Sequence, residues 1–167
     1  IAIASFSVLK RMTGATGPRT AQTGPAVLAT RSVFYPETER MMGWDLGDSG
    51  FKIVLSPEVP ALVKERMAGD VAQFLADHQI PREAIQSFVC HPGGPKILEA
   101  MSAALALPPE ALAVTWKSLQ EVGNLSSASV LLVLRDTRNE RRPPPGSLGL
   151  MLAMGPGFCS ELVLLKW

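Results

Sequence analysis

The sequence predicts an α/β domain: a layered mixed sheet with helices on its faces. Three observations carry this. Strand-like runs rich in β-branched and aromatic residues alternate with runs of helical spacing, and the chain closes on two consecutive strands. A short apolar strand, Ile85 to Cys90, runs straight into His91-Pro92-Gly93-Gly94-Pro95 and a helix, which puts a histidine at the carboxyl end of a strand, where open α/β sheets place ligand chemistry. The 167 residues are 47% hydrophobic, enough for one continuous core in a single domain.

Val27 to Phe34 reads as a strand that Tyr35-Pro36 breaks. Phe51 to Leu55 follows the Gly47-Asp48-Ser49-Gly50 turn as the second arm of a hairpin. Ser56-Pro57-Glu58-Val59-Pro60 offers a helix cap with proline in the first turn. Leu62, Val63, Met67, Val71, Phe74 and Leu75 then keep helical spacing to about Asp77, with Gly69 the one weak point. Lys96 to Leu105 reads as the helix after His91. Pro108 to Leu112 should be a capping turn, and Thr115 to Glu121 a short helix stopped by Gly123. Leu125 to Arg138 reads as a buried segment, helix or strand by its own pattern, in which small Ser127, Ala128 and Ser129 permit close packing. Arg138 to Ser147 is a polar loop, and strands Leu148 to Met154 and Phe158 to Trp167 flank Gly155-Pro156-Gly157. Ile1 to Lys10 is apolar, and Met12 to Gly24 is rich in Gly, Thr and Pro and reads as a loop or linker.

Composition excludes several classes. Sixteen basic residues against 15 acidic ones, net +1, make no field for nucleic acid. The apolar runs fall well short of the ~20 residues of a membrane span, and Ile1 to Leu9 lacks a basic leader, so a secretory signal is not expected. Cys90 and Cys159 are the only two cysteines and have no metal-ligand spacing, so no metal site is expected and a reducing cytoplasm fits.

The chemistry concentrates at His91 and, 33 positions on, at Asn124 in Gly123-Asn124-Leu125-Ser126-Ser127-Ala128. A neutral histidine can activate a thiol, and a histidine with an asparagine amide can donate two hydrogen bonds to a thioester carbonyl and steady an enolate. Alone, His91 would read as a strand-capping residue and Asn124 as a helix cap. Cys90 is next to His91 on a strand, so their side chains should point to opposite faces and cannot form a thiolate pair. Cys159 reads as a small core residue.

His91 to Leu98, Gly123 to Ala128, Met42-Gly43-Trp44-Asp45-Leu46, and Gly155-Pro156-Gly157-Phe158 with Glu161 to Leu165 resemble the C-terminal half of the type III polyketide synthases, the chalcone and stilbene synthase relatives. The resemblance runs from about Gly24 to Trp167 and implies the C-terminal half of a thiolase-like fold, with Leu125 to Arg138 as a helix. It implies that His91 and Asn124 are catalytic, that Gly93, Gly94 and Lys96 border the coenzyme A tunnel, and that Met42, Gly43, Trp44, Ile53, Gly155, Pro156 and Gly157 line the substrate pocket. Ile53 stands where plant members usually carry a gatekeeper phenylalanine, and the wording from Met41 to Leu55 is closer to bacterial members, favouring alkylpyrone or alkylresorcinol chemistry. The implied activity is an acyltransferase reaction, decarboxylative Claisen condensation of malonyl-CoA onto an acyl-CoA starter. Coenzyme A thioesters are then substrates, no cofactor is needed, and the full-length enzyme is a homodimer.

The family's nucleophilic cysteine belongs to its N-terminal half, and the Phe-Gly-Asp-Gly element usual before Gly24 is not found here. Residues 1–24 are therefore expected to be a divergent or flexible N-terminal segment, and 25–167 the family domain, inactive without the missing half. Two other readings stand beside this one. β-Ketoacyl-acyl carrier protein synthase III shares the fold and a Gly-Asn element but normally shows His-Gln-Ala-Asn at the histidine, and a non-catalytic coenzyme A-binding or assembly module would need no thiol.

Overall fold

The structure, a computed structural model, describes residues 24–167, so the expected N-terminal element and linker fall outside the described residues. Four strands form one mixed sheet: β1 (Ala26–Phe34), β4 (Ile85–Cys90), β5 (Leu148–Gly155) and β6 (Cys159–Lys166), in the order β1-β6-β5-β4. β4 and β5 are parallel, and the other neighbours are antiparallel. A separate antiparallel hairpin, β2 (Met42–Gly47) with β3 (Gly50–Leu55), stands off the sheet.

Helices cover both faces. α1 (Val59–Asp77) and α2 (Pro95–Ala104) lay Val63, Met67, Phe74, Leu98 and Met101 against Leu150, Leu152, Leu162 and Leu164. α4 (Ser127–Glu140) presents Val130 and Val133 to the opposite face, where Val89, Met151, Ala153 and Val163 alternate with the first set. Period-two alternation in the strands thus feeds two cores from one sheet. α3 (Ala113–Val122) joins α2 to α4 after a 3₁₀ turn at Pro109–Leu112.

Three sequence expectations need correction. α4 is amphipathic rather than buried. Leu131 is 38% exposed because the apolar run covers more of the helix circumference than the sheet beneath it can take. Ser56 starts a turn before α1 rather than capping it: its Oγ accepts the Glu58 N–H at 3.1 Å and its carbonyl the Val59 N–H, while Pro60 occupies the first turn. The polar loop starts later than read, because α4 continues to Glu140.

Tyr35 pins β1 to both neighbours. Its ring stacks on Phe158, centroids 5.7 Å apart. Its hydroxyl donates to the Asp70 carboxylate of α1 and lies 3.0 Å from Ser160 Oγ of β6. Burial, and then the bond to Asp70, hold this phenol well above its ordinary pKa.

Candidate active site

β4 delivers His91 to the end of the sheet. The His91 N–H donates to the Leu152 carbonyl at 2.8 Å, so the ladder with β5 runs one residue beyond the strand and fixes this backbone. The next turn is tight, with the Gly93 N–H on the His91 carbonyl at 2.9 Å, and Gly94 at φ 150° then lets the chain enter α2 behind Pro95. Alternation puts Cys90 on the other side of the strand, fully buried in the core with α1 and α2. Burial pushes its thiol up to about 12, so Cys90 stays protonated at neutral pH. Burial also lowers the His91 pKa, which favours the neutral imidazole.

Asn124 arrives from the opposite side. Gly123, at φ 77°, ends α3, and its N–H closes the last turn on the Leu119 carbonyl. The Asn124 Oδ1 accepts the Ser126 N–H at 2.9 Å, and Nδ2 donates to the Gly93 carbonyl at 3.2 Å. The two bonds settle which amide atom is which and couple the asparagine loop to the histidine loop. An amide nitrogen carries two hydrogens, so one remains to donate to a ligand. Ser126 holds φ 58° and ψ −138°, a backbone region costly for a residue with a side chain. Ser129 Oγ accepts the Leu125 N–H at 2.6 Å and ties the loop to α4.

Both loops open onto a cavity of about 740 Å³. His91, Gly93, Gly94, Lys96 and Asn124 line it. Met42, Gly43, Trp44 and Ile53 of the hairpin form another wall, where Trp44 and Ile53 are direct cross-strand partners. Gly155 and Pro156 line it too, but Gly157 does not. Gly157 turns away at φ 126° and donates its N–H to the Met42 carbonyl at 3.2 Å, fastening the turn to the hairpin. Sequence reasoning missed Ser126, Val130 and Ala153, which also line the cavity. Ser126 and Val130 lie one helical turn apart just after Asn124, a spacing that would have found them.

Cys159 is 4% exposed, and burial raises its pKa, with the nearby Glu161 adding to the shift. Neither cysteine lines the cavity. Among the described residues no three His, Cys, Asp or Glu side chains are grouped to hold a metal ion, and no helix is long and apolar enough to cross a membrane.

A mixed sheet with helices on both faces, and a histidine and an oriented asparagine amide on one apolar cavity at its end, is the architecture of a thiolase-like half-domain. The family model for chalcone and stilbene synthases, C-terminal domain, matches residues 26–167, and the chain belongs to that family. It is 52% identical over 143 residues to the 1,3,6,8-tetrahydroxynaphthalene synthase of Streptomyces peucetius subsp. caesius, covering 86% of this chain and 38% of that protein. It is 31% identical over 166 residues to the 3,5-dihydroxyphenylacetyl-CoA synthase of Streptomyces toyocaensis, covering 98% of this chain and 42% of that protein. Among solved structures, the 1,3,6,8-tetrahydroxynaphthalene synthase of Streptomyces coelicolor A3(2), a bacterial type III polyketide synthase, superimposes with a TM-score of 0.82 at 30% identity, covering 89% of this chain and 42% of that one. The chain thus spans about 40% of the length of these relatives.

Proposed function

We propose that this chain is the substrate-activating portion of a type III polyketide synthase and catalyses, once completed by the rest of the enzyme, decarboxylative condensation of malonyl-CoA onto an acyl-CoA starter. The observation that supports this best is the Asn124 amide, whose oxygen is held by Ser126 while its nitrogen bridges to the His91 loop and keeps a free N–H at the cavity. In this reading the thioester carbonyl of malonyl-CoA accepts hydrogen bonds from the imidazole N–H of His91 and the Asn124 amide. Loss of carbon dioxide leaves the bonding pair on the α-carbon as an enolate, whose charge the same donors stabilise. The enolate carbon attacks the acyl thioester of the loaded starter, a new carbon–carbon bond forms, and the thiolate leaves. The neutral His91 that burial favours suits the donor role.

The loaded thiol comes from outside the chain, since both cysteines here are buried away from the cavity. Coenzyme A thioesters are substrates in this scheme, with Gly93, Gly94 and Lys96 at the mouth and Trp44, Ile53, Gly155 and Pro156 against the growing chain. No cofactor enters it, and the completed enzyme is a homodimer. The 52% identical relative makes tetrahydroxynaphthalene by name, which favours an aromatic product of that kind over an alkylpyrone.

The test is a chimera in which residues 26–167 replace the matching segment of the S. peucetius relative. Supplied with malonyl-CoA, with and without an acyl-CoA, it should release carbon dioxide and a condensed product, whereas the 167-residue chain alone should release neither. An inactive but folded chimera would refute the proposal.

A further inference from the structure

One buried carboxyl has no part in the scheme above. Glu161 sits on β6 between Ser32 of β1 and Ala153 of β5, and Ala153 lines the cavity. Its side chain shares the sheet face of Val163 and Leu165, the face that α4 covers over β4 and β5. It is only 4% exposed. Ser32 Oγ donates to Oε2 at 2.7 Å, but Oε1 is buried with no hydrogen-bond partner among the described residues. An unpaired carboxyl oxygen in an apolar setting is costly, and folds supply partners to such atoms. Burial accordingly raises its pKa.

The surroundings indicate where the partner comes from. On the same face, Ser32 and Phe34 of β1 are exposed, Phe34 by 58%, because they lie beyond the cluster that α4 forms there with β4, β5 and β6. A synthase of the matched kind has more than half its length outside this segment, the chain covering 38% of the S. peucetius relative. We propose that Glu161 is a positioning residue of the condensing site: beside the exposed Ser32, its carboxyl turns as the upstream portion of the synthase covers β1, so that Oε1 accepts a hydrogen bond from that portion and sets it against the cavity beside Ala153. This rests on the condensing reading and adds to it a residue that touches no substrate.

The same chimera tests it. Glu161→Leu removes the acceptor, whereas Glu161→Gln keeps a carbonyl oxygen at Oε1. With the acceptor lost, kcat should fall about tenfold or more while the KM for malonyl-CoA stays within about twofold, since a displaced reacting group affects turnover more than binding. Glu161→Gln should restore kcat to within about threefold of the parent. The proposal is overturned if Glu161→Leu folds and keeps its kcat, or if Glu161→Gln loses as much as Glu161→Leu. Should the leucine variant fail to fold, the glutamine variant decides: retained kcat supports the role and lost kcat overturns it. A folded parent chimera that is inactive, or whose turnover ignores His91→Ala, overturns the condensing reading itself and this role with it.

Discussion

His91 and Cys90 show how one peptide step separates two fates. Adjacent on the same strand, one side chain enters the cavity and the other the α1–α2 core, and burial moves both toward their neutral forms. For His91 the sign of the linked stability effect follows from the lowered pKa. The unfolded chain binds a proton near the ordinary value of 6.5 and the folded chain only at lower pH, so this stabilisation is present above about 6.5 and lost as pH falls through the folded pKa. The melting temperature of the wild-type chain should therefore fall more steeply from pH 7.5 to pH 5 than that of His91→Gln, as thermal scans at matched ionic strength would read. Parallel curves would count against a buried neutral imidazole. Tyr35 offers a second test at this scale. Tyr35→Phe keeps the stack on Phe158 but removes the hydroxyl shared by Asp70 and Ser160, and should cost about 1–3 kcal/mol in chemical denaturation.

At the scale of elements, α1 owes its length to apolar spacing despite a glycine near its middle. Gly69 is exposed, and a Cβ built there meets nothing within 4 Å, so Gly69→Ala should stabilise the chain by about 0.5–1 kcal/mol. A shift of about 1–4 °C in melting temperature is the expected reading. The same elements show what the sequence made visible. β4, the hairpin turn at Gly47 to Gly50, and the end of α3 at Gly123 follow from alternation and turn chemistry, both local properties. The burial of α4 did not follow, because five successive apolar residues from Val130 to Leu134 do not reveal which arc of the helix meets the sheet. Gly157 and Ser126 escaped for a related reason. Their positions depend on positive φ angles set by contacts with Met42 and Asn124, each distant or hidden in a loop.

For the whole molecule, the cavity exists because separate pieces of chain meet at one end of the sheet: the hairpin, the His91 turn, the Asn124 loop and the β5–β6 turn. Motifs spaced along the sequence announced each piece, and the resemblance to the chalcone and stilbene synthases told how they assemble. What no local pattern announced is the bond from Asn124 to the Gly93 carbonyl, 31 residues away, which joins the asparagine loop to the histidine loop. The proposed condensation requires this site to activate malonyl-CoA, and malonyl-CoA decarboxylation by the chimera bearing residues 26–167 reads that step as released carbon dioxide. Asn124→Ala should cut the rate by about 100-fold, the cost of one oxyanion donor of roughly 3 kcal/mol, with the folded state intact by circular dichroism. Decarboxylation within about twofold of the parent in both Asn124→Ala and His91→Ala would contradict the account.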